Sequence, residues 1–237
     1  MPNPFFRFKQ FTVYHDRCAM KVGTDGVLLG AWSNISDANV VLDIGTGTGL
    51  IALMIAQRNP NSAIDAIDIN KEAIEQAEEN ISQSPFSSRM RCYHSSLQSF
   101  QKQYQKKYDV IVSNPPFFTQ SLKSPDKGRT SARHTDSLQM EELIGISSDF
   151  MSDKGKLSII YPFEYKELLM GQATQSGLYV SRITNVYPTP SAAPKRILME
   201  FSKNNLPLIE SNLIIEKERH IYSDDFTALV RDFYLKM

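Results

Sequence analysis

Three glycines at regular spacing, together with one acidic residue, form the first group of residues in this sequence that could bind a ligand. The apolar strand pattern VVLDI leads directly into Gly45, Gly47 and Gly49, and a helical pattern begins after them. Glycine is needed where a backbone turns tightly or approaches a ligand closely. The next strand pattern, AIDAID, ends in Asp68, whose carboxylate could accept hydrogen bonds from a ribose diol. This pattern predicts a nucleoside site, and the alternative is a strand–helix turn without a ligand.

A second acidic residue, Asp43, lies within the first of these strand patterns, where burial is expected. A buried carboxylate costs free energy unless a partner compensates its charge. A ligand that carries a sulfonium or an ammonium group would supply that compensation, whereas a pyrophosphate would not. The sequence also contains neither GxxxxGKS nor GxxxxGKT, which argues against a phosphate-binding P-loop.

The tetrapeptide Asn114-Pro115-Pro116-Phe117 follows a fourth strand pattern, YDVIVS. Its prolines restrict the backbone and remove two N–H donors, so that carbonyl oxygens remain free to accept hydrogen bonds. The side-chain oxygen of Asn114 and the carbonyl of Pro115 could bind both hydrogens of a planar exocyclic amine and direct its lone pair at a methyl sulfonium. Phe117 could stack on the base. We predict that this tetrapeptide is catalytic, and the alternative is a rigid turn without chemistry.

The charge of the chain is balanced as a whole but not along its length. Its 237 residues include 26 Lys and Arg and 26 Asp and Glu, and 41% of them are hydrophobic. This composition excludes a disordered chain and a uniformly basic nucleic-acid binder. Residues 1–24 and 117–135 are nevertheless basic, and they flank the predicted site in a way that suits a phosphate backbone. The RNA-binding candidates are Lys123, Lys127, Arg129 and Arg133, and a solvated charged loop is the alternative.

The cysteines, histidines and apolar runs indicate neither a metal site nor a membrane span. Cys18 and Cys92 belong to no CxxC motif, and the four histidines are scattered without ligand spacing, so we expect reduced thiols and no metal. No apolar run reaches the length of a transmembrane helix, and residues 1–11 show no signal-peptide pattern. We therefore expect a cytoplasmic protein without membrane contact.

Strand and helix patterns alternate from residue 40 onward, which predicts right-handed βαβ crossovers and a mostly parallel sheet. Before them, FRFKQFTVYH predicts strands or a hairpin, and TDGVLLGAW predicts a short helix. The patterns YVSRITNVY and RILMEFS have no helix between them and predict an antiparallel edge, and LIIEKER is a candidate for one more strand. The segment DDFTALVRDFYLKM predicts a terminal helix that begins near Ser223. We divide this single structural unit into an N-terminal extension, residues 1–36, and a main domain, residues 37–237.

The motif DIGTGTG, with Asp68 after the second strand and NPPF after the fourth, resembles class I S-adenosylmethionine-dependent methyltransferases that modify planar amino nitrogens. The resemblance implies an α/β, Rossmann-like fold whose mostly parallel sheet has seven strands, an antiparallel edge strand and helices on both faces. It also implies S-adenosylmethionine as the cofactor, without a metal. Ser96 stands where many of these enzymes carry an aspartate for the adenine amino group. The implied cofactor contacts are Lys21, Gly23, Thr24, Asp25, Asp43, Gly45, Gly47, Gly49, Asp68, Ile69, Ser96, Leu97 and Asn114.

Longer segments, among them MKVGTDG, LDIGTGTGLIALMIAQR, SNPPFF, ARHTDSL and PKRILMEFS, resemble the bacterial tRNA1(Val) (adenine(37)-N6)-methyltransferase family over nearly the whole chain. This resemblance implies methyl transfer to the N6 amino group of an adenine in the anticodon loop of tRNA(Val), with tRNA as partner and no obligate protein partner. It also implies that residues 1–36 close over the methionine end of the cofactor. Phe117 replaces a tyrosine that adenine enzymes often carry. Methylation of rRNA guanine N2 or of protein glutamine N5 therefore stays open, as does a catalytically silent RNA- or cofactor-binding module.

Overall fold

The alternating patterns build one eight-stranded sheet with helices on both faces in the computed structural model, which describes residues 3–18, 21–116 and 139–236. The described strands are β1 (Phe5–Arg7), β2 (Thr12–Tyr14), β3 (Val40–Ile44), β4 (Ala63–Asp68), β5 (Met90–His94), β6 (Tyr108–Ser113), β7 (Met151–Pro162), β8 (Tyr179–Tyr187), β9 (Arg196–Ser202), β10 (Ile209–Ile214), β11 (Glu216–Glu218) and β12 (Ile221–Tyr222). The described α-helices are α1 (Thr24–Trp32), α2 (Leu50–Arg58), α3 (Lys71–Ser82), α4 (Leu97–Gln103), α5 (Met140–Phe150), α6 (Lys166–Gln175) and α7 (Asp224–Val230). Two 3₁₀ turns cover Ser87–Arg89 and Phe163–Tyr165.

The strand order of the large sheet is β10-β8-β9-β7-β6-β3-β4-β5. Its strands are paired in parallel except for β9, which is antiparallel to both β7 and β8. The predicted Rossmann-like α/β fold is confirmed, but two of its details are wrong. The sheet has eight strands rather than seven, because β10 pairs in parallel with the outer side of β8. The antiparallel strand lies inside the sheet rather than at its edge, because the short connection after β8 turns β9 back into the space beside β7.

Each face of the sheet has its own apolar cluster, because successive residues of a strand point to opposite faces. Val41 of β3 belongs to the cluster that packs against α1 and α2. The next residue, Leu42, belongs to the cluster that packs against α4, α5 and α6. The central strands are therefore covered on both sides and hold the residues at their ends in fixed positions. Among the helices that the structure describes, none combines the length and the apolarity that crossing a bilayer requires.

Side-chain caps determine where three of the helices begin. Asn70 caps α3, Ser96 caps α4 and Ser223 caps α7, in each case by accepting a hydrogen bond from a backbone N–H three residues later. The predicted start near Ser223 is confirmed, but α7 ends at Val230 instead of continuing through the rest of the terminal segment. The sequence patterns do not predict α4, which is short and buries few of its side chains.

The predicted N-terminal hairpin is confirmed as β1 and β2, which pair with each other outside the large sheet. Phe8 is 2% exposed, and its ring stacks with those of Phe11 and Tyr234 at centroid distances of 4.8 and 5.9 Å. The side chain of Asn80 in α3 accepts a hydrogen bond from the backbone N–H of Tyr14 and donates one to its carbonyl, each over 2.9 Å. The hairpin is thus attached both to the C-terminal residues and to the helix that follows β4.

Candidate active site

Three neighbouring strands end at one edge of the sheet and carry predicted site residues at their last position or just beyond it. Ile44 of β3 pairs with Ile67 of β4 on one side and with Ser113 of β6 on the other. The hydroxyl of Ser113 also donates a hydrogen bond of 2.9 Å to the carbonyl of Ile44. Because these pairs are in register, three features lie side by side at the carboxyl edge, where parallel sheets bind ligands. They are Asp68, Asn114 and the turn that contains Gly45, Gly47 and Gly49, which we call the glycine turn.

The glycine turn has the backbone conformation that its sequence predicts. The φ angles of Gly45, Gly47 and Gly49 are +69°, +55° and +80°, in the left-handed region that favours glycine. A Cβ atom at Gly49 would lie 3.4 Å from the Cβ of Ala77 in α3. A Cβ atom at Gly45 or Gly47 would have no described atom within 4 Å. The turn therefore packs against α3 at one glycine and faces open space at the other two, which leaves room for a ligand to approach the backbone.

Asp68 is oriented by the turn that it faces. Its Oδ2 accepts a hydrogen bond of 2.9 Å from the backbone N–H of Gly47, and its Oδ1 accepts one of 2.9 Å from the N–H of Asn70. Each carboxylate oxygen has two lone pairs, so each retains one acceptor position after these bonds. The carboxylate is held in one orientation and can still accept both hydroxyl hydrogens of a diol.

Asp43 is fully buried in β3, two residues before the turn. Its Oδ2 accepts hydrogen bonds from the hydroxyl of Thr46 at 2.7 Å and from the backbone N–H of Ala52 at 3.2 Å. Its Oδ1 is buried and has no hydrogen-bond partner within the described part of the chain. Desolvation raises the pKa of Asp43 to about 7, although both hydrogen bonds act in the opposite direction. A cationic group or a donor that reached Oδ1 would relieve the cost of burying this carboxylate.

Asn114 carries a second buried acceptor at the end of β6. Its Oδ1 is inaccessible to solvent and forms no hydrogen bond with any residue that the structure describes. The next residue, Pro115, is buried, whereas Pro116 is exposed. Phe117 lies outside the described residues. A buried amide oxygen without a partner gains a hydrogen bond when a donor enters the site. This is the property that the predicted amine-binding role of Asn114 requires.

The start of α1 is attached to β9 by an ion pair. Gly23 is the N-cap residue of α1, and Lys21 and Thr24 are exposed. The Oδ2 of Asp25 accepts a hydrogen bond of 2.8 Å from the Nε of Arg196, the first residue of β9. Asp25 therefore has a cationic partner within the protein. A cofactor contact at Asp25 remains a prediction and would have to share that carboxylate with Arg196.

The predicted cofactor contacts Ile69, Ser96 and Leu97 differ in what their side chains offer. Ile69 is 58% exposed directly after Asp68 and presents an apolar surface on which a base could lie. The Oγ of Ser96 accepts a hydrogen bond of 3.1 Å from the N–H of Ser99, because Ser96 caps α4. Leu97 is 3% exposed and belongs to the apolar cluster on its face of the sheet. A contact from Leu97 to the cofactor would therefore have to come from its backbone.

The two basic segments contribute differently to the described structure. Residues 123, 127, 129 and 133, which carry the predicted RNA contacts Lys123, Lys127, Arg129 and Arg133, lie outside the described residues. In the segment before residue 25, Arg17 pairs with Glu79 at 2.7 Å and Lys9 donates a hydrogen bond of 2.5 Å to the carbonyl of Arg231. The side chains of Arg17 and Lys9 thus already have partners within the protein. Over residues 3–18, 21–116 and 139–236, no three His, Cys, Asp or Glu side chains are grouped as metal ligands would be.

The sequence patterns do not identify Thr46, Asn80 or Arg196, although each of them positions the site. The Nδ2 of Asn80 donates a hydrogen bond of 2.9 Å to the carbonyl of Thr48 in the glycine turn. A signal for Asn80 exists in the sequence, because a polar residue three positions after Ala77 interrupts the apolar stripe of α3. For Arg196 there is no comparable signal, since Asp25 lies 171 residues earlier in the chain.

Comparison with known proteins connects this geometry to one family. Residues 21–172 match the family model described as "Methyltransferase small domain". A protein of Parabacteroides distasonis named tRNA1(Val) (adenine(37)-N6)-methyltransferase is 50% identical over 238 residues, and the alignment covers 100% of both chains. A protein of the same name from Trichodesmium erythraeum is 49% identical and covers 98% of each chain.

Solved structures share the fold at much lower identity. A predicted O-methyltransferase from Agrobacterium tumefaciens has a TM-score of 0.69 at 18% identity, over 88% of this chain and 96% of that chain. A ribosomal protein L11 methylase from Lactobacillus delbrueckii subsp. bulgaricus has a TM-score of 0.54 at 16% identity, over 76% of this chain and 77% of that chain. These likenesses concern the fold alone, and they agree with the class I methyltransferase architecture.

Proposed function

Because this chain belongs to the tRNA1(Val) (adenine(37)-N6)-methyltransferase family, we propose that it transfers a methyl group to the N6 amino group of an adenine in the anticodon loop of tRNA(Val). The cofactor of this proposal is S-adenosylmethionine, which supplies the methyl group on a sulfonium. The observation that carries the proposal is the buried Oδ1 of Asn114, an acceptor without a described partner at the carboxyl edge. It lies at the end of β6, next to the strand that leads into the glycine turn.

The residues around the glycine turn fit the two ends of this cofactor. Asp68 retains one acceptor position on each oxygen for the ribose hydroxyls. Gly45 and Gly47 leave open space beside the backbone, which a side chain would fill. The buried Oδ1 of Asp43 suits the positively charged methionine end, since that charge would offset the cost of burying a carboxylate. Residues 1–36 would close over this end, and Ile69 would lie against the adenine ring.

The role of the NPP turn is to hold the target amine. The Oδ1 of Asn114 accepts one amino hydrogen and the carbonyl of Pro115 accepts the other, so that the nitrogen lone pair points toward the methyl group. Bound S-adenosylmethionine would supply the methyl group on its sulfonium: the amine nitrogen would bond to the methyl carbon as the carbon–sulfur bond breaks, and the methylated amine would then release one proton to solvent water. Positioning and exclusion of water account for the acceleration in this scheme, because no metal and no covalent enzyme intermediate are needed. Phe117 would stack on the flat face of the base.

The RNA would reach the site through an unpaired loop, in which bases are already free to turn outward. Lys123, Lys127, Arg129 and Arg133 would contact its phosphates, and their number is small enough for the product to dissociate. We place this reaction in the cytoplasm, where tRNA is available to a protein that needs no membrane and no obligate protein partner.

Methyl transfer from labelled S-adenosylmethionine to separate pools of unmodified tRNA, rRNA and protein tests this function. Digestion and mass spectrometry of the products should reveal N6-methyladenosine in the tRNA pool. N2-methylguanosine in rRNA or methylated glutamine in protein would instead support one of the other amine-methylating activities. Labelling of no pool, together with intact cofactor binding, would identify a catalytically silent binding module.

A further inference from the structure

A cavity of about 420 Å³ lies at the carboxyl edge, on the far side of β9 from the glycine turn. We propose that this cavity, lined by Lys195, Arg196, Glu216 and Tyr222, binds an unpaired nucleotide of the substrate RNA a few positions from the nucleotide that is methylated. The inference rests on the proposed function, because it assigns a second contact to the same RNA. Its lining also includes Thr24 and Asp25, so it begins at the segment predicted to cover the cofactor.

The sheet places this cavity close to the candidate catalytic turn. Arg196 is the first residue of β9 and pairs with Pro162 at the end of β7 and with Val186 near the end of β8. Asn114 follows β6, the next strand beyond β7. Three strand spacings separate β8 from β6, which amounts to about 14 Å across the sheet. A few nucleotides of an unpaired loop can span that distance, so one RNA can occupy both places.

The floor and wall of the cavity are suited to a flat ring. Its floor includes Leu28 and Phe226, which are 0% and 1% exposed. The ring of Tyr222 lies 4.9 Å from that of Phe226 and is tilted against it by 39°. Tyr222 is itself 43% exposed, so one side of its ring is open. An exposed aromatic ring above an apolar floor is the arrangement on which nucleobases stack in single-stranded nucleic-acid sites.

The rim of the cavity carries donors and acceptors together. Lys195 is exposed and forms no ion pair within the described part of the chain, so its ammonium group is available to a phosphate. Glu216 is half-buried, and its Oε2 accepts only a long hydrogen bond of 3.4 Å from the N–H of His220. A nucleobase has N–H donors for such a carboxylate, whereas a purely anionic ligand would be repelled by it. The combination of stacking surface, carboxylate and free lysine therefore favours a nucleotide over a simple anion.

Two substitutions test this assignment without touching the candidate catalytic turn. Tyr222→Ala should weaken binding of an unmodified anticodon stem-loop about tenfold, since one base stack is lost, and Lys195→Gln should lower the affinity and its salt dependence. Calorimetry should show unchanged affinity for S-adenosylhomocysteine in both variants. Tyr222→Phe should restore RNA affinity, because it keeps the ring. Tyr179→Ala and Lys154→Gln are matched controls, since both residues are exposed and lie near the opposite, amino edge of the sheet.

Abasic substitution at each loop position of the stem-loop identifies the bound nucleotide. At one loop position a few nucleotides from the target adenine, removal of the base should weaken binding to the wild type about tenfold and to Tyr222→Ala hardly at all. Equal losses in both proteins at every position would overturn the assignment, as would unchanged RNA affinity in Tyr222→Ala. A wild type that methylates no RNA would instead refute the proposed function, and this inference with it.

Discussion

The side-chain Nδ2 of Asn80 donates a hydrogen bond of 2.9 Å to the backbone carbonyl of Thr48, in the middle of the glycine turn. The same amide group binds the N–H and the carbonyl of Tyr14 in β2. One residue of α3, which is 1% exposed, therefore connects the N-terminal hairpin with the turn predicted to hold the cofactor. Through this link, the position of the hairpin and the shape of the turn depend on each other.

Substitution of Asn80 by alanine should reduce both stability and cofactor affinity. The buried Asn80 side chain loses three hydrogen bonds, so the free energy of unfolding should fall by about 2–4 kcal/mol in a urea titration. Affinity for S-adenosylhomocysteine, measured by calorimetry, should also fall, since the carbonyl of Thr48 loses its anchor.

The matched control for this prediction is Asn59→Ala. Asn59 is 6% exposed, and its side chain also takes part in three hydrogen bonds, with the carbonyls of Ile35 and Ala38 and with the N–H of Asn61. It precedes β4 and so lies at the amino edge, away from the glycine turn. Both variants should lose similar stability, but only Asn80→Ala should lose cofactor affinity. Equal affinity in the two variants would contradict a positioning role for Asn80.

A comparison of Gly47→Ala with Gly177→Ala should separate two effects. One is the loss of stability when a non-glycine residue adopts a left-handed backbone, and the other is the loss of affinity when a side chain blocks the cofactor. The φ angles of Gly47 and Gly177 are +55° and +70°, and an added Cβ would meet no described atom within 4 Å at either place. Each substitution should lower the free energy of unfolding by about 1–2 kcal/mol. Only the Cβ at Gly47 enters the space assigned to the cofactor, so affinity should fall at least about tenfold in that variant alone. Comparable affinity in both would show that the cofactor lies elsewhere.

The parts of the fold that depend on local patterns can be predicted from the sequence. The run VVLDIG and the run AIDAID predict β3 and β4. Since parallel strands end at a common edge, the proximity of the glycine turn, Asp68 and Asn114 also follows from the sequence. In each case the pattern of a single strand, together with the rules of parallel pairing, is sufficient for the prediction.

The features that depend on contacts between distant segments could not be predicted in this way. The sequence of β10, IESNLI, leaves most of its residues exposed at the edge and shows no clean alternation. The place of β9 between β7 and β8 depends on tertiary packing, which its own pattern does not contain. The ion pair of Asp25 with Arg196 likewise joins residues that no periodicity relates.

Asn114→Ala should separate catalysis from cofactor binding. The substitution removes the Oδ1 acceptor and leaves the glycine turn and Asp68 unchanged, so affinity for S-adenosylhomocysteine should stay within a factor of about two of the wild type. The rate of methyl transfer to tRNA should fall about 100-fold or more, because the target amine loses one of its two acceptors. Single-turnover kinetics with saturating RNA measures that rate. A large loss of cofactor affinity at an unchanged transfer rate would assign Asn114 to the cofactor rather than to the amine.

Asp43 should make the stability of the protein without cofactor depend on pH. Burial raises the pKa of its carboxyl from an ordinary value of 3.8 to about 7, so between these pH values the folded protein binds more protons at this site than the unfolded chain. The contribution of Asp43 to the free energy of unfolding must therefore fall as the pH rises from about 4 to about 7. Urea titrations across this range should show the decline in the wild type and a flatter profile in Asp43→Asn, with the exposed Asp37→Asn as the control.

Cofactor binding should reverse this dependence, because a positive charge beside Asp43 stabilises the ionised carboxylate. Binding of S-adenosylmethionine at pH 6 should thus release protons, and its affinity should rise with pH up to about 7. Calorimetry in two buffers of different ionisation enthalpy measures the released protons directly. Asp43→Asn should bind more weakly and release fewer protons, since the amide has no charge to develop. Equal proton release in the wild type and in Asp43→Asn would show that the positive end of the cofactor does not lie against Asp43.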